Sequence, residues 1–159
     1  MAQDFKSVMS ELWAKLKLGA PDFGPTNALT LSIDGFDIGL NESADGRNVV
    51  VTGAIGRLAS DAYRREEQVR KLLKSNLGML QSSGACLSLE TTDDTSTVRV
   101  QAIYPYAANR LDLLTRGIEE VLFRLEMHAG DLAVARGRGP ATREPAVAAA
   151  SLETFIIRP

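Results

Sequence analysis

The sequence predicts an α+β domain with three helices and one five-stranded antiparallel sheet, in the order α-β-β-β-α-β-β-α. Two observations carry most of that reading. Leu29, Leu31 and Ile33 alternate with polar residues up to Asp34-Gly35, after which Phe36, Ile38 and Leu40 alternate again, the pattern of a hairpin closed by a two-residue turn. Three other stretches instead repeat apolar residues every three or four positions, the period of an amphipathic helix.

In the first of these stretches, Phe5, Val8, Met9, Leu12, Trp13 and Leu16 share one face, which predicts a helix from Gln3 to Leu18. Gly19 and Pro21 are expected to end it, and Pro25 to keep the connection extended. Across the following hairpin, Ile33 should face Phe36, Leu31 face Ile38 and Leu29 face Leu40, giving one wholly apolar side. Asp45-Gly46 marks a second turn. Asn48 to Ile55 then reads as a third strand, and its run Val49-Val50-Val51 predicts a central position with both faces buried.

A central helix follows, with Ser60 or Asp61 as its N-cap and Val69, Leu72, Leu73, Leu77 and Leu80 along one face, interrupted by Asn76. It should stop at Ser82-Ser83-Gly84. Strands Ala85 to Glu90 and Thr97 to Ile103 are expected to pair antiparallel around the acidic loop Thr91 to Thr95. A third helix carries Leu111, Leu114, Ile118, Val121, Leu122 and Leu125, with Asn109 as N-cap and an end near His128 to Gly130.

The chain has 159 residues and a net charge of -2, which suits one domain and gives no general attraction to nucleic acid or an anionic bilayer. Up to Leu132 there are 14 basic and 18 acidic residues, against four basic and two acidic from Ala133 onward. The expected division is therefore a domain over residues 1-132 and an Ala/Arg/Pro-rich tail over 133-159, read as mostly disordered. The lone Cys86, the start Met1-Ala2-Gln3-Asp4-Phe5 and the lack of any apolar run near membrane-spanning length point to a cytoplasmic protein without an anchor.

The residue types that carry chemistry are sparse. His128 is the only histidine and sits at an expected helix C-terminus, where a cationic ring ordinarily stabilises the helix end. Cys86 lies in a strand without a neighbouring base to activate it and reads as a small buried hydrophobe. Asp93-Asp94 lacks the alternating oxygen ligands of a calcium loop and reads as a turn, and the Arg-Gly steps at Arg136 to Gly139 are too few to mark an RNA-binding tail. No enzyme, metal or cofactor is expected. The surplus is apolar surface: the hairpin face, the first-helix stripe with Trp13, and the stripe of the central helix.

Gly56-Arg57-Leu58, Leu72-Leu73-Lys74-Ser75-Asn76-Leu77 and Gly84-Ala85-Cys86-Leu87-Ser88-Leu89, in that order and spacing, resemble the class I chaperones of type III secretion, the CesT/Tir chaperone family. The resemblance covers about Phe5 to Leu132. It implies a bacterial cytoplasmic homodimer, acting in virulence or symbiosis, that uses no nucleotide. Such a chaperone binds the N-terminal segment of a secreted effector, keeps it soluble and non-globular, and passes it to the secretion apparatus.

On that reading Trp13, Leu16, Leu29, Leu31, Ile33, Phe36 and Ile38 form the effector-binding surface. Leu72, Leu73, Asn76, Leu77, Leu80, Leu87 and Leu89 form the dimer contact. Asn76 has two readings, a register-setting group in the interface or a side chain bonded to a backbone within the monomer. The alternative function is a small-molecule-binding or sensory α+β domain of the same fold, its apolar hairpin lining a pocket and Arg57 or Tyr63 supplying polar groups.

Overall fold

The structure is a computed structural model, and it describes residues 4-24, 27-79, 83-92, 95-106 and 110-132. Expectations that fall elsewhere lie outside the described residues: the helix start at Gln3, Leu80, the stop at Ser82, the Asp93-Asp94 turn, the Asn109 cap and the tail. The elements are α1 (Phe5–Lys15), β1 (Leu29–Ile33), β2 (Phe36–Glu42), β3 (Asn48–Arg57), α2 (Ala62–Met79), β4 (Ala85–Thr92), β5 (Thr95–Pro105) and α3 (Leu111–His128). All five strands form one antiparallel sheet in the order β1-β2-β3-β5-β4.

The hairpin register is the one that alternation dictates, with Leu29 opposite Leu40, Leu31 opposite Ile38 and Ile33 opposite Phe36. Asp34 (φ 50) and Gly35 (φ 83) both adopt left-handed backbone, which defines the type I′ turn whose twist matches the flanking strands. The end of α1 differs from expectation. Leu18 N–H bonds Trp13 C=O at 3.0 Å across Lys17, which sits at φ 57, so a lysine in the left-handed region closes the helix before Gly19 is reached.

Burial alternates along the central strands and falls on one side of the sheet. Leu29, Leu31, Ile38, Leu40, Val49, Val51, Val98, Val100 and Ala102 join one core with Phe5, Val8, Met9, Leu12 and Trp13 of α1 and with Leu111, Leu114, Ile118, Val121 and Leu125 of α3. The opposite side carries Thr30, Ser32, Asp37 and Ile103, all exposed. This corrects the reading of Val49-Val50-Val51. Its position is central, but Val50 is only half-buried and pairs with Ile103 on the open side, because the helices cover a single face.

Two glycines allow α3 to approach the sheet. A Cβ at Gly53 of β3 would lie 2.5 Å from Leu125 Cδ1 and 3.2 Å from its Cγ, and one at Gly117 of α3 would enter the Tyr104 ring of β5. Helix propensity alone makes Gly→Ala favourable by about 1 kcal/mol, whereas overpacking a closed core costs about 1–3 kcal/mol. Tyr104 cannot yield easily, because its hydroxyl donates to Glu120 at 2.7 Å. Gly117→Ala and Gly53→Ala should therefore each lower stability, seen as a reduced urea midpoint; an unchanged or raised midpoint would contradict this packing.

Candidate functional site

Where the unpaired backbone groups of a sheet go is an accounting question, and here its two edges answer it differently. Residues flanking a two-residue turn exchange both hydrogen bonds, so Ile33, Leu31 and Leu29 direct their N–H and C=O groups to β2. Thr30 and Ser32 consequently point theirs outward. No backbone partner for either is found among the described residues. Among the described residues the β1 edge is bare.

At the other edge the same alternation carried through the register directs Ala85, Leu87, Leu89 and Thr91 of β4 outward. Two of these are already satisfied. Leu87 N–H donates to Asn76 Oδ1 at 2.9 Å and Ala85 N–H to Ser83 Oγ at 3.0 Å. Of the two readings of Asn76, the structure has the bond within the monomer: the residue that interrupts the α2 stripe ties that helix to the β4 edge. Removing it leaves a half-buried donor without a partner, so Asn76→Ala should cost about 1–3 kcal/mol. Loss of protection of the Leu87 amide in hydrogen exchange would check this, and an unaltered rate would refute it.

The residues expected at the effector surface separate into two groups. Trp13, Leu29, Leu31 and Ile38 are in the core, with Ile38 wholly covered. They form the floor and not the surface, because the apolar hairpin face that sequence leaves open is the face the helices bury. Leu16, Ile33 and Phe36 are half-buried and reach the surface. Leu18 and Phe23 share that status and were missed, since they fall after the regular helix period has ended. Ile33 and Phe36 are cross-strand neighbours at the end of the bare edge.

The expected dimer residues separate in the same manner. Leu72 belongs to the core and Asn76 and Leu87 are occupied with each other. Leu73 and Leu77 of α2 and Leu89 of β4 are 57%, 67% and 53% exposed. Leu80 lies outside the described residues. Three large aliphatic side chains on α2 and on the strand it adjoins thus remain in solvent.

At the far side of α2, Ser75 Oγ lies 3.2 Å from His128 Nε2, and His128 Nδ1 lies 2.9 Å from Asp131 Oδ2. The order Ser, His, Asp is that of a hydrolytic triad. The surroundings are not. Ser75 is inside the C-terminal half of α2, where its own N–H and the next are committed to the helix and form no oxyanion hole, and His128 is only 4% exposed. The group acts as a joint between α2 and the end of α3, a wider role for His128 than stabilising a helix end.

Asp131 completes the joint. Its carboxyl is held below its ordinary value of 3.8, first by the hydrogen bond from Lys71 and then by that from the His128 ring. A lowered carboxylate contributes stability above its unfolded value and loses it as pH falls through the folded one. The stability gap between wild type and Asp131→Asn should be open at about pH 6 and closed by about pH 2. A gap independent of pH would contradict the assignment.

Two concave sites are small. One groove of about 180 Å³ is lined by Arg57, Leu58, Ala59, Ser60, Arg65, Thr95 and Ser96, and a second of about 120 Å³ by Tyr63, Glu66, Glu67 and Arg70. Neither is lined by the apolar hairpin, as the small-molecule alternative requires. Arg65 is already engaged, donating to the carbonyls of Ala59 and Ser60. Cys86 is half-buried on the open side of the sheet, more accessible than expected. Among the described residues there is no acidic, histidine or cysteine cluster fit for a metal, and no helix is long and apolar enough to cross a membrane.

Against solved structures, the chain matches the HopA1-SchA chaperone-effector complex with a TM-score of 0.63 at 16% identity, over 79% of this chain and 92% of that one. The chain has the fold of the type III secretion chaperones. The chaperone fold is matched again in SycH of Yersinia pestis, a type III secretion chaperone in complex with a fragment of YscM2: TM-score 0.54, 17% identity, 77% of this chain and 98% of that one. YbjN of E. coli, a candidate transcription regulator, also matches, with a TM-score of 0.56 at 14% identity over 77% and 89%. No protein-family model and no curated protein matches the sequence. The chaperone fold is therefore common ground, and function has to be argued from the edges and faces of this chain.

Proposed function

We propose that this chain is a type III secretion chaperone, a bacterial cytoplasmic homodimer that holds the N-terminal segment of a secreted effector extended, soluble and non-globular until export. The observation that carries the proposal is the asymmetry of the sheet: at one edge Asn76 and Ser83 satisfy two of the four outward N–H groups, and at the other, among the described residues, none has a partner and half-buried apolar side chains lie alongside. A bare edge of this kind takes an extended peptide by strand addition. Main-chain bonds give affinity, and apolar contacts for alternate side chains give preference.

In this reading the effector segment pairs with Thr30 and Ser32 and lays side chains against Ile33, Phe36 and Leu16. Trp13, Leu29, Leu31 and Ile38 support those residues from the core. Leu73, Leu77 and Leu89 form the contact between two copies, and the acidic body keeps the assembly soluble. The chemistry needs no cofactor. Phe36→Ala should reduce recovery of a co-purified effector from native cytoplasm while leaving the dimer intact; normal recovery would remove Phe36 from the site. Ile38→Ala is expected instead to destabilise the monomer, by about 2–5 kcal/mol for a fully buried side chain.

A further inference from the structure

We propose that the groove between the end of β3 and the start of α2 binds a phosphate group, as the free ion or a small monoester, between the guanidiniums of Arg57 and Arg65. Arg57 reaches the groove through an irregularity of the ladder. The parity of Val49, Val51 and Gly53 would turn residue 57 toward the core, but the register of β3 on β5 passes from Ala54 opposite Arg99 to Gly56 opposite Val98 and skips Ile55. The alternation therefore shifts by one, so that Gly56 is buried and Arg57 is exposed opposite Thr97. A bulge that re-aims one side chain is a recurrent device beside binding sites.

The rest of the wall is fixed. Leu58 N–H donates to Ser96 C=O at 2.9 Å, and Ala59 N–H to Gln68 Oε1 at 2.8 Å. Arg65 Nε donates to Ala59 C=O at 3.0 Å and its Nη2 to Ser60 C=O at 2.7 Å. A guanidinium has five N–H donors, so three remain on Arg65, two of them on Nη1. Arg57 is in no ion pair among the described residues. The lining adds the hydroxyls of Ser60 and Ser96 and, among the described residues, no carboxylate. Asp61 beside it is turned to the Arg64 N–H at 2.9 Å. In a body with 18 acidic residues this is a local reversal of sign.

Charge and size select the ligand. Two guanidiniums balance a dianion, and a phosphate monoester carries a charge of about −1.5 to −2 near neutral pH, where a carboxylate supplies only one. The groove, at about 180 Å³, is smaller than the about 300–1,000 Å³ of sites that enclose a drug-sized ligand. It seats the phosphate and leaves a larger substituent outside. The second groove is unsuited to an anion, because it carries Glu66 and Glu67 and its Arg70 is paired with Glu66 at 2.6 Å.

Heteronuclear NMR of the full chain, titrated at constant ionic strength with O-phospho-L-serine, inorganic phosphate and acetate in turn, tests the proposal. The Ser60 and Ser96 amides should shift saturably with millimolar phosphoserine. Arg57→Gln should weaken that binding at least about tenfold with an unchanged urea midpoint, since the side chain is exposed. Arg65 is left in place because it also fastens the wall. Inorganic phosphate binding as tightly as phosphoserine supports the free ion as ligand, and weaker binding supports an ester. Absence of a saturable shift, the result of a groove already neutralised by Asp93 or Asp94, would overturn the proposal. So would acetate binding as tightly, or undiminished binding by Arg57→Gln. No lining residue is among those assigned to the effector or to the second copy, so failure here leaves the chaperone reading standing.

Discussion

Ser32→Pro should weaken capture of an effector segment by at least about tenfold while leaving the domain folded. The Ser32 N–H points away from β2, so proline removes no bond of the ladder, and proline is tolerated on an edge strand for that reason. For a partner strand the same change deletes a donor and places a ring in its path. One lost hydrogen bond is worth about 0.5–1.5 kcal/mol, and with the obstruction the total exceeds the 1.4 kcal/mol that makes a factor of ten. Leu31, now preceding proline, is already extended. Titration of the captured segment by calorimetry, with urea unfolding as the control, gives the answer. Undiminished binding by a folded variant would mean that the segment does not pair with β1.

Leu73→Asp combined with Leu77→Asp should convert the proposed homodimer to a folded monomer. Both side chains are more than half exposed, so charging them leaves the monomer's core untouched. In a twofold-symmetric contact each substitution acts twice, removing apolar burial worth about 25 cal/mol per Å² and adding an unpaired carboxylate. The expected loss of dimer affinity is at least about 100-fold, measurable by analytical ultracentrifugation, with circular dichroism confirming the fold. A dimer that survives both changes is held by another surface, and the α2 assignment falls.

Much of the fold is legible in the residues because strand alternation and Asp-Gly turns are local signals. The register Leu29–Leu40 through Ile33–Phe36 follows from six alternating apolar positions and a turn of two. The cap of α2 is equally local, with Asp61 Oδ2 accepting from Arg64 N–H at 2.9 Å. What a period does not carry is which apolar stripe is covered. Leu72 and Leu73 are adjacent, look alike in sequence, and end 7% and 57% exposed, because only one of them faces the rest of the domain.

The candidate site was legible to the same extent. Sequence locates the apolar hairpin and the helices but not that the helices bury three of the hairpin's expected contact residues, and it cannot tell a bare edge from a capped one. Asn76 illustrates the difficulty. As a polar break in a stripe it has two readings, and only the position of β4 eleven residues later selects the bond to Leu87. The end of α1 shows the reverse case, where a glycine and a proline were available as stop signals and Lys17 served instead.

The most direct test of the account is to purify the tagged full chain from its native cytoplasm, proteolyse what accompanies it, and sequence the protected fragment by mass spectrometry. The account predicts a contiguous fragment near the N-terminus of a secreted protein, protected by two copies of this chain and lost from Ser32→Pro. Recovery of a small molecule on denaturation, with no protein fragment, would contradict it.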